Sequence, residues 1–232
     1  DTSFDVDGRK TLSIGDANDS QSYDYIDQMV ELPDGKIIAA GAVDGYISLI
    51  RFNSELQLDP TFGSGGYVKS SIRHCDYYNE IVSSCASGIT LEVDIEQRLL
   101  VAGRGWLNYG FDVFLQRYLP NGALDTTFGG GDGIVELMLN AGYSQSGYAS
   151  YGTGLQVDGR IIVATDNGIY RMDQNGQNST RIINTASRGV QVWEDGDILV
   201  VDADFDVHRY SRDAVLEQSY ENNFGTSNSI LQ

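Results

Sequence analysis

Three features of the sequence predict an all-β fold, a β-propeller of about four blades, each a four-stranded antiparallel meander. A unit of strand, turn and linker recurs, four hairpins share one design, and no segment has an amphipathic helical period. The repeat is plainest at 113–131, V-F-L-Q-R-Y-L-P-N-G-A-L-D-T-T-F-G-G-G, an apolar strand with an arginine, a turn, then Leu-Asp-Thr-Thr-Phe-Gly. It returns at 49–63 and, more worn, at 207–225, and the chain opens inside a copy at Asp1-Thr2-Ser3-Phe4. Such a period implies supersecondary modules stacked in series.

The elements follow in order. Each unit opens with a short strand, at 9–14, 67–72, 134–139 and 181–184. A hairpin comes next, at 28–42, 89–103, 154–165 and 190–201, turning at Asp34-Gly35, Glu96-Gln97, Asp158-Gly159 and Asp195-Gly196. Asp-Gly suits a tight two-residue turn, because glycine takes positive φ without steric cost. The second hairpin strands (K-I-I-A-A-G, R-L-L-V-A-G, R-I-I-V-A-T, D-I-L-V-V-D) are unbroken apolar runs, as in strands buried on both faces. A last strand, at 46–52, 111–118, 168–172 and 205–210, carries Arg51, Arg117, Arg171 and Arg209. One strand, a hairpin and a final strand make a propeller blade.

The units therefore span roughly 9–52, 66–118, 133–172 and 180–210, with 1–8 and 211–232 as linker or closure segments of a single domain. Asp34, Glu96 and Asp158 are spaced by 62 residues, and Asp195 follows after 37, so the later units are shortened. The final stretch 224–232 reads as the linker and first strand of a fifth unit, either closing the ring or continuing a longer array.

The 232 residues include 15 basic and 33 acidic ones, a formal charge of −18. That surface repels phosphate backbones and anionic membranes, so nucleic-acid binding is not expected. No apolar run approaches the roughly 20 residues of a membrane span, and no membrane insertion is expected. The first residue is Asp, which suggests a removed leader or a piece of a larger chain. Cys75 and Cys85 lack C-x-x-C spacing, and His74 and His208 do not complete a zinc set. The cysteines suit a disulfide clipping a long loop, or two thiols in a reducing cytosol; a bridge would place the chain in an oxidising compartment. Few lysines, many Tyr, Ser, Asn and Gly and the acidic balance lean the same way, toward a secreted or cell-surface protein.

The pattern D-G-K-I-I-A-A-G…I-R-F-N…L-D-P-T-F-G resembles the delta-60 repeat, found in tandem in large secreted or surface-associated bacterial proteins. The likeness is strongest at 35–65 and 98–131 and weak in the third unit. It implies a propeller-like array and supplies no catalytic signature. Glu96-Gln97, the shortened third unit and the cysteine loop depart from the pattern.

Arg51 and Asp59, Arg117 and Asp125, and Arg209 and Glu217 are each eight residues apart. An active site occurs once and a strut recurs, so these pairs are expected to tie the end of one blade to the linker into the next. Phe4, Phe62, Phe128 and Tyr220 recur as plugs between blades. Asp202, Asp204 and Asp206 alternate, so an extended strand would set them on one face. The stretches 5–8 and 16–20 resemble calcium loops but neither completes the pattern, so calcium is a candidate ion and no cofactor is expected. No catalytic residue is assigned either; nucleophile elbow, phosphate loop and metal-protease motifs are missing.

In a meander, successive turns fall on opposite edges. Hairpin turns and linkers share one rim, while the varied loops 15–26, 73–88, 104–110, 140–152 and 202–204 share the other. The varied loops hold Tyr77, Tyr78, Trp106, Tyr109, Tyr143, Tyr148 and Tyr151 among Ser, Asn and Gly, a mixture suited to recognition. These seven are the candidate ligand-binding residues. The expected function is an extracellular recognition module, such as an adhesin tip, whose partner is a glycan or a surface protein and which belongs to a larger chain or assembly. The alternatives are a polysaccharide lyase or hydrolase, with polar residues converging on one pocket, and a structural spacer.

Overall fold

The computed structural model describes residues 14, 24–73, 75–78, 81–85, 89–107, 110–137 and 150–221. They form an all-β, four-bladed propeller. The first blade comprises β1 (Tyr25–Glu31), β2 (Ile37–Val43), β3 (Tyr46–Phe52) and β4 (Tyr67–Arg73). A two-stranded ribbon follows, β5 (Cys75–Tyr78) and β6 (Ile81–Cys85). The second blade is β7 (Thr90–Val93), β8 (Leu99–Leu107), β9 (Gly110–Tyr118) and β10 (Ile134–Leu137). The third is β11 (Ser150–Leu155), β12 (Ile161–Thr165), β13 (Gly168–Met172) and β14 (Thr180–Ile183). The fourth is β15 (Ser187–Val192), β16 (Ile198–Asp202), β17 (Val207–Tyr210) and β18 (Leu216–Tyr220). Among the described residues no helix is long and apolar enough to cross a membrane.

The Asp-Gly hairpins are wider than the two-residue turn expected. Leu32 N donates to Lys36 O at 2.7 Å and Gly35 N to Leu32 O at 2.9 Å, with Gly35 at φ +78°. Pro33 and Asp34 form the corner, and glycine takes the left-handed position that rejoins the strands, the three-residue hairpin geometry. In the second blade Gln97 occupies that position at φ +60°, which explains how Glu96-Gln97 replaces Asp-Gly.

Blades are also phased one strand later than the sequence units. The strand after each linker returns to its own arginine strand: Ile50 faces Tyr67 in register, and Gln116 faces Ile134. The linker turns the chain back, with Arg51 N donating to Gly66 O and Gly66 N to Phe62 O, both at 2.9 Å. In the fourth blade the linker equivalent stays extended as β18, an additional strand, and Tyr210 faces Leu216. There Glu217-Gln218-Ser219 replaces the Asp-x-Thr of the earlier linkers (Asp59-Pro60-Thr61 and Asp125-Thr126-Thr127), whose threonine hydroxyl bonds back to the aspartate. Tyr220 is consequently 58% exposed, not the plug expected of it, whereas Phe62 and Phe128 are fully buried. Phe4, the two incomplete calcium loops and the stretch 224–232 lie outside the described residues.

The unbroken apolar runs are explained by the stacking. Leu99 and Val101 face the first blade, in a core with Ile38, Ala40, Leu49 and Phe62. Their neighbours Leu100 and Ala102 face the third, in a core with Phe128, Ile161 and Val163. Ile162 and Ala164 in turn meet Ile198 and Val200 of the fourth. A strand between two blades alternates its side chains into two cores, so every position is apolar.

The first strand of each sheet lies innermost, and β1, β7, β11 and β15 pack side by side. The Gln28 amide bridges to the next blade, donating to Leu91 O at 3.0 Å and accepting from Leu91 N at 2.9 Å. Thr153 Oγ1 donates to Thr90 Oγ1 at 2.9 Å. Glu92 sits in this inner layer with no ion pair or hydrogen bond among the described residues, and burial pushes its carboxyl from the usual 4.5 up to about 7. The folded chain therefore holds a proton there that the unfolded chain has released. The associated stability is complete below about pH 4.5 and is lost as pH rises through 7, up to about 3 kcal/mol. Glu92→Gln should melt above the wild type by a margin that grows across this window and then levels. A margin independent of pH would refute the assignment.

Candidate functional site

Strand order gives the wheel two rims. One holds the acidic turns and linkers; the other holds the β2–β3, β8–β9, β12–β13 and β16–β17 connections and the segments joining successive blades.

The first rim is tied by a relay of arginines. Arg51 Nε donates to Asp59 Oδ2 at 2.9 Å, Nη2 to Thr61 Oγ1 at 2.9 Å, and Nη1 to the Pro120 carbonyl of the second blade. Its guanidinium stacks 4.7 Å from the Phe62 centroid. Arg117 repeats the arrangement with Asp125 at 2.7 Å, Thr127 at 3.3 Å, the Gln174 carbonyl of the third blade at 2.6 Å and Phe128. Arg171, whose blade has lost the linker, keeps only the hand-over, donating from Nη1 to Arg212 O at 3.0 Å. Pro120, Gln174 and Arg212 each sit three places after the next arginine (117, 171 and 209). The Thr61 hydroxyl, with its own backbone N–H and Arg51, holds the Asp59 carboxyl down to about 2 despite burial. Burial opposes ionisation of Asp125, yet Thr127 and Arg117 keep its carboxyl below the usual value. A device built this way in successive blades is architectural, as the spacing implied. In the fourth blade the spacing misleads: Arg209 bonds chiefly to Asp197, through Nε at 2.9 Å, and Glu217 stands at 3.5 Å.

The second rim carries the residues expected to recognise a ligand. Tyr77 and Tyr78 lie in β5 of the ribbon that leaves the end of β4; Trp106 is near the end of β8, where it bridges in register to Arg73; Tyr151 begins β11. Tyr109, Tyr143 and Tyr148 lie outside the described residues. Cys75 and Cys85 face each other in register across the base of the ribbon.

The alternating aspartates are not on an extended strand. β16 ends at Asp202, and 202–206 is a turn in which Asp202 N donates to Asp206 O at 3.0 Å and Phe205 N to Asp202 O at 3.1 Å. Asp204 is exposed, and His208 takes the third place instead: ligand atoms of Asp202, Asp206 and His208 lie within 4.8 Å of one another. A histidine six residues after Asp202 matches no metal-site motif, so spacing alone carries no signal for this set.

The family described as a domain of unknown function (DUF5122) beta-propeller matches residues 32–62 and 98–128, the first two hairpin-to-linker stretches. No curated protein matches the sequence. Among solved structures, the chain is similar to a protein of unknown function from Bacteroides caccae (TM-score 0.53, 11% identity, 85% of this chain and 61% of that one). It is also similar to PorZ of Porphyromonas gingivalis (TM-score 0.51, 9% identity, 92% of this chain and 30% of that one). A third is Raptor of Chaetomium thermophilum (TM-score 0.50, 10% identity, 85% of this chain and 17% of that one). The chain thus spans less than two thirds of each, and at these identities the likeness is one of propeller fold.

Proposed function

We propose that the chain is a recognition module displayed outside a bacterial cell, binding a glycan or a surface protein through the rim opposite the arginine relay, and that its repeat is of the delta-60 kind. The observation that carries this reading is the division of labour between the rims. One rim repeats the same arginine strut in the first two blades and the hand-over to the next blade in the first three; the other collects segments that differ between blades and carry Tyr77, Tyr78, Trp106 and Tyr151. Large aromatic side chains give contact area at low entropic cost, and neighbouring Ser and Asn supply adaptable hydrogen bonds. PorZ, of similar fold, is a bacterial surface component of a secretion system, which supports a surface role.

The register of Cys75 against Cys85 supports a disulfide, because directly opposed strand residues fall within the Cα range a bridge accepts. The bridge would clamp the ribbon and reduce the ordering cost of binding. The reading is tested on a glycan array and by pull-down from bacterial surface extract. Trp106→Ala and the double change Tyr77→Ala/Tyr78→Ala should each weaken capture at least about tenfold, the loss typical of an aromatic anchor, without lowering the melting temperature. The purified chain should weigh two hydrogens less than its reduced form, and reduction should weaken capture. Unaltered binding in both variants would reject the rim as the site, and two free thiols in secreted material would reject the bridge.

A further inference from the structure

We propose that Asp202, Asp206 and His208 form a binding site for a divalent cation of the zinc class, on the varied rim of the fourth blade. The cation site stands whether or not the rim recognises a glycan or a protein. His208 Nε2 stands 3.1 Å from Asp202 Oδ2, and a carboxylate oxygen of Asp206 completes a set within 4.8 Å. Two ligands bound cis at about 2.0–2.1 Å stand roughly 3.0–3.4 Å apart, so the His208–Asp202 pair already has the bite of a metal chelate. The pair is also shielded, with side-chain exposure of 16% for His208 and 13% for Asp202.

The surroundings fit a ligating imidazole. Ser219 on the neighbouring strand holds His208 Nδ1 at 2.9 Å. With the ring proton on Nδ1 and donated to that hydroxyl, Nε2 turns a lone pair toward the carboxylates, the outer-shell arrangement of metal-bound histidine. The Asp202 carboxylate is fixed from its other side, Oδ1 accepting from Asp204 N and Asp206 N at 2.9 Å each. Nor does the constellation belong to the repeat. The positions matching Asp202, counted from each acidic turn, are Gly41, Gly103 and Thr165; those matching His208, counted from each arginine, are Ile50, Gln116 and Tyr170. Architecture recurs in this chain, and this set occurs in one blade. One imidazole and two carboxylates favour zinc, manganese or a similar ion over calcium, which takes six to eight oxygens. Three protein ligands leave a coordination position for water or a ligand oxygen.

The test is titration of the metal-free chain with Zn²⁺, followed by calorimetry and by the imidazole resonances of its two histidines. Saturable one-to-one binding is expected, shifting His208 and leaving His74 unmoved. His208→Gln and Asp206→Asn should weaken it more than about tenfold, and Ser219→Ala by about tenfold, the usual effect of removing an outer-shell partner. Asp206→Asn keeps the turn, because its backbone carbonyl receives the Asp202 N–H. It therefore tests the site even if His208→Gln fails to fold. Absence of saturable binding, binding undiminished in Asp206→Asn, or displacement of Zn²⁺ by an equal concentration of Ca²⁺ would each overturn the assignment.

Discussion

Replacing Arg117 by alanine should cost about 3–5 kcal/mol, the loss seen when one member of a buried ion pair is removed. Arg117 is 3% exposed and Asp125 4%. The change would leave the Asp125 carboxylate with only Thr127 for company, strip the Gln174 carbonyl of its donor and expose the face of Phe128. One side chain thus closes its own linker, fastens the third blade and covers a core aromatic. For a domain of this size the melting temperature should fall by roughly 10 °C. Arg117→Lys should recover only part of the loss, because an ammonium cannot reach carboxylate, hydroxyl and carbonyl together from a planar fork. The double change Arg117→Met/Asp125→Leu should be far milder than Arg117→Ala, since no charge is stranded. Arg209→Ala provides the contrast: its side chain is 31% exposed among Asp195, Asp197 and Glu217, and because water screens such a pair the loss should be a small fraction of that at Arg117. Equal losses at Arg117 and Arg209 in urea unfolding would refute the relay.

What the sequence made legible was set by local chemistry. The apolar runs, acidic turns and arginines at constant offset identify blade strands and two working struts, because each signal resides within a few residues. Blade phase was harder to read. Whether the strand at 67–73 belongs to the sheet before or after it depends on the fold-back at Gly63–Gly66, and the period is the same either way. Turn width was hidden as well, since Asp-Gly serves both the two-residue hairpin and the wider one in which Gly35 alone takes positive φ. The fourth linker resembles the others in sequence because its apolar and aromatic positions survive, while the Asp-x-Thr that bends the first two is gone. His208 completes no zinc set by spacing, because its partners are assembled by a turn and a neighbouring strand, and no spacing rule reports that.

The glycines after the linker phenylalanines allow a second large effect to be separated into its parts. Gly129 and Gly65 both adopt φ +68°. A Cβ added at Gly65 meets nothing within 4 Å, whereas one at Gly129 would lie 1.9 Å from the carbonyl oxygen of Ile134 and 2.5 Å from its carbon. Gly65→Ala should therefore cost only the left-handed backbone penalty, about 1–2 kcal/mol. Gly129→Ala adds a collision with backbone that cannot rotate away, at the point where Gly129 N donates to Asn175 O of the third blade at 3.0 Å. Either β10 must move off the second blade or the linker must release the third, and the loss should reach about 4 kcal/mol or more. Urea unfolding of the two variants isolates the collision, because the φ term is common to both. If they lose the same stability, close approach of linker and outer strand is not what demands glycine here, and the fold-back that sets blade phase has some other cause.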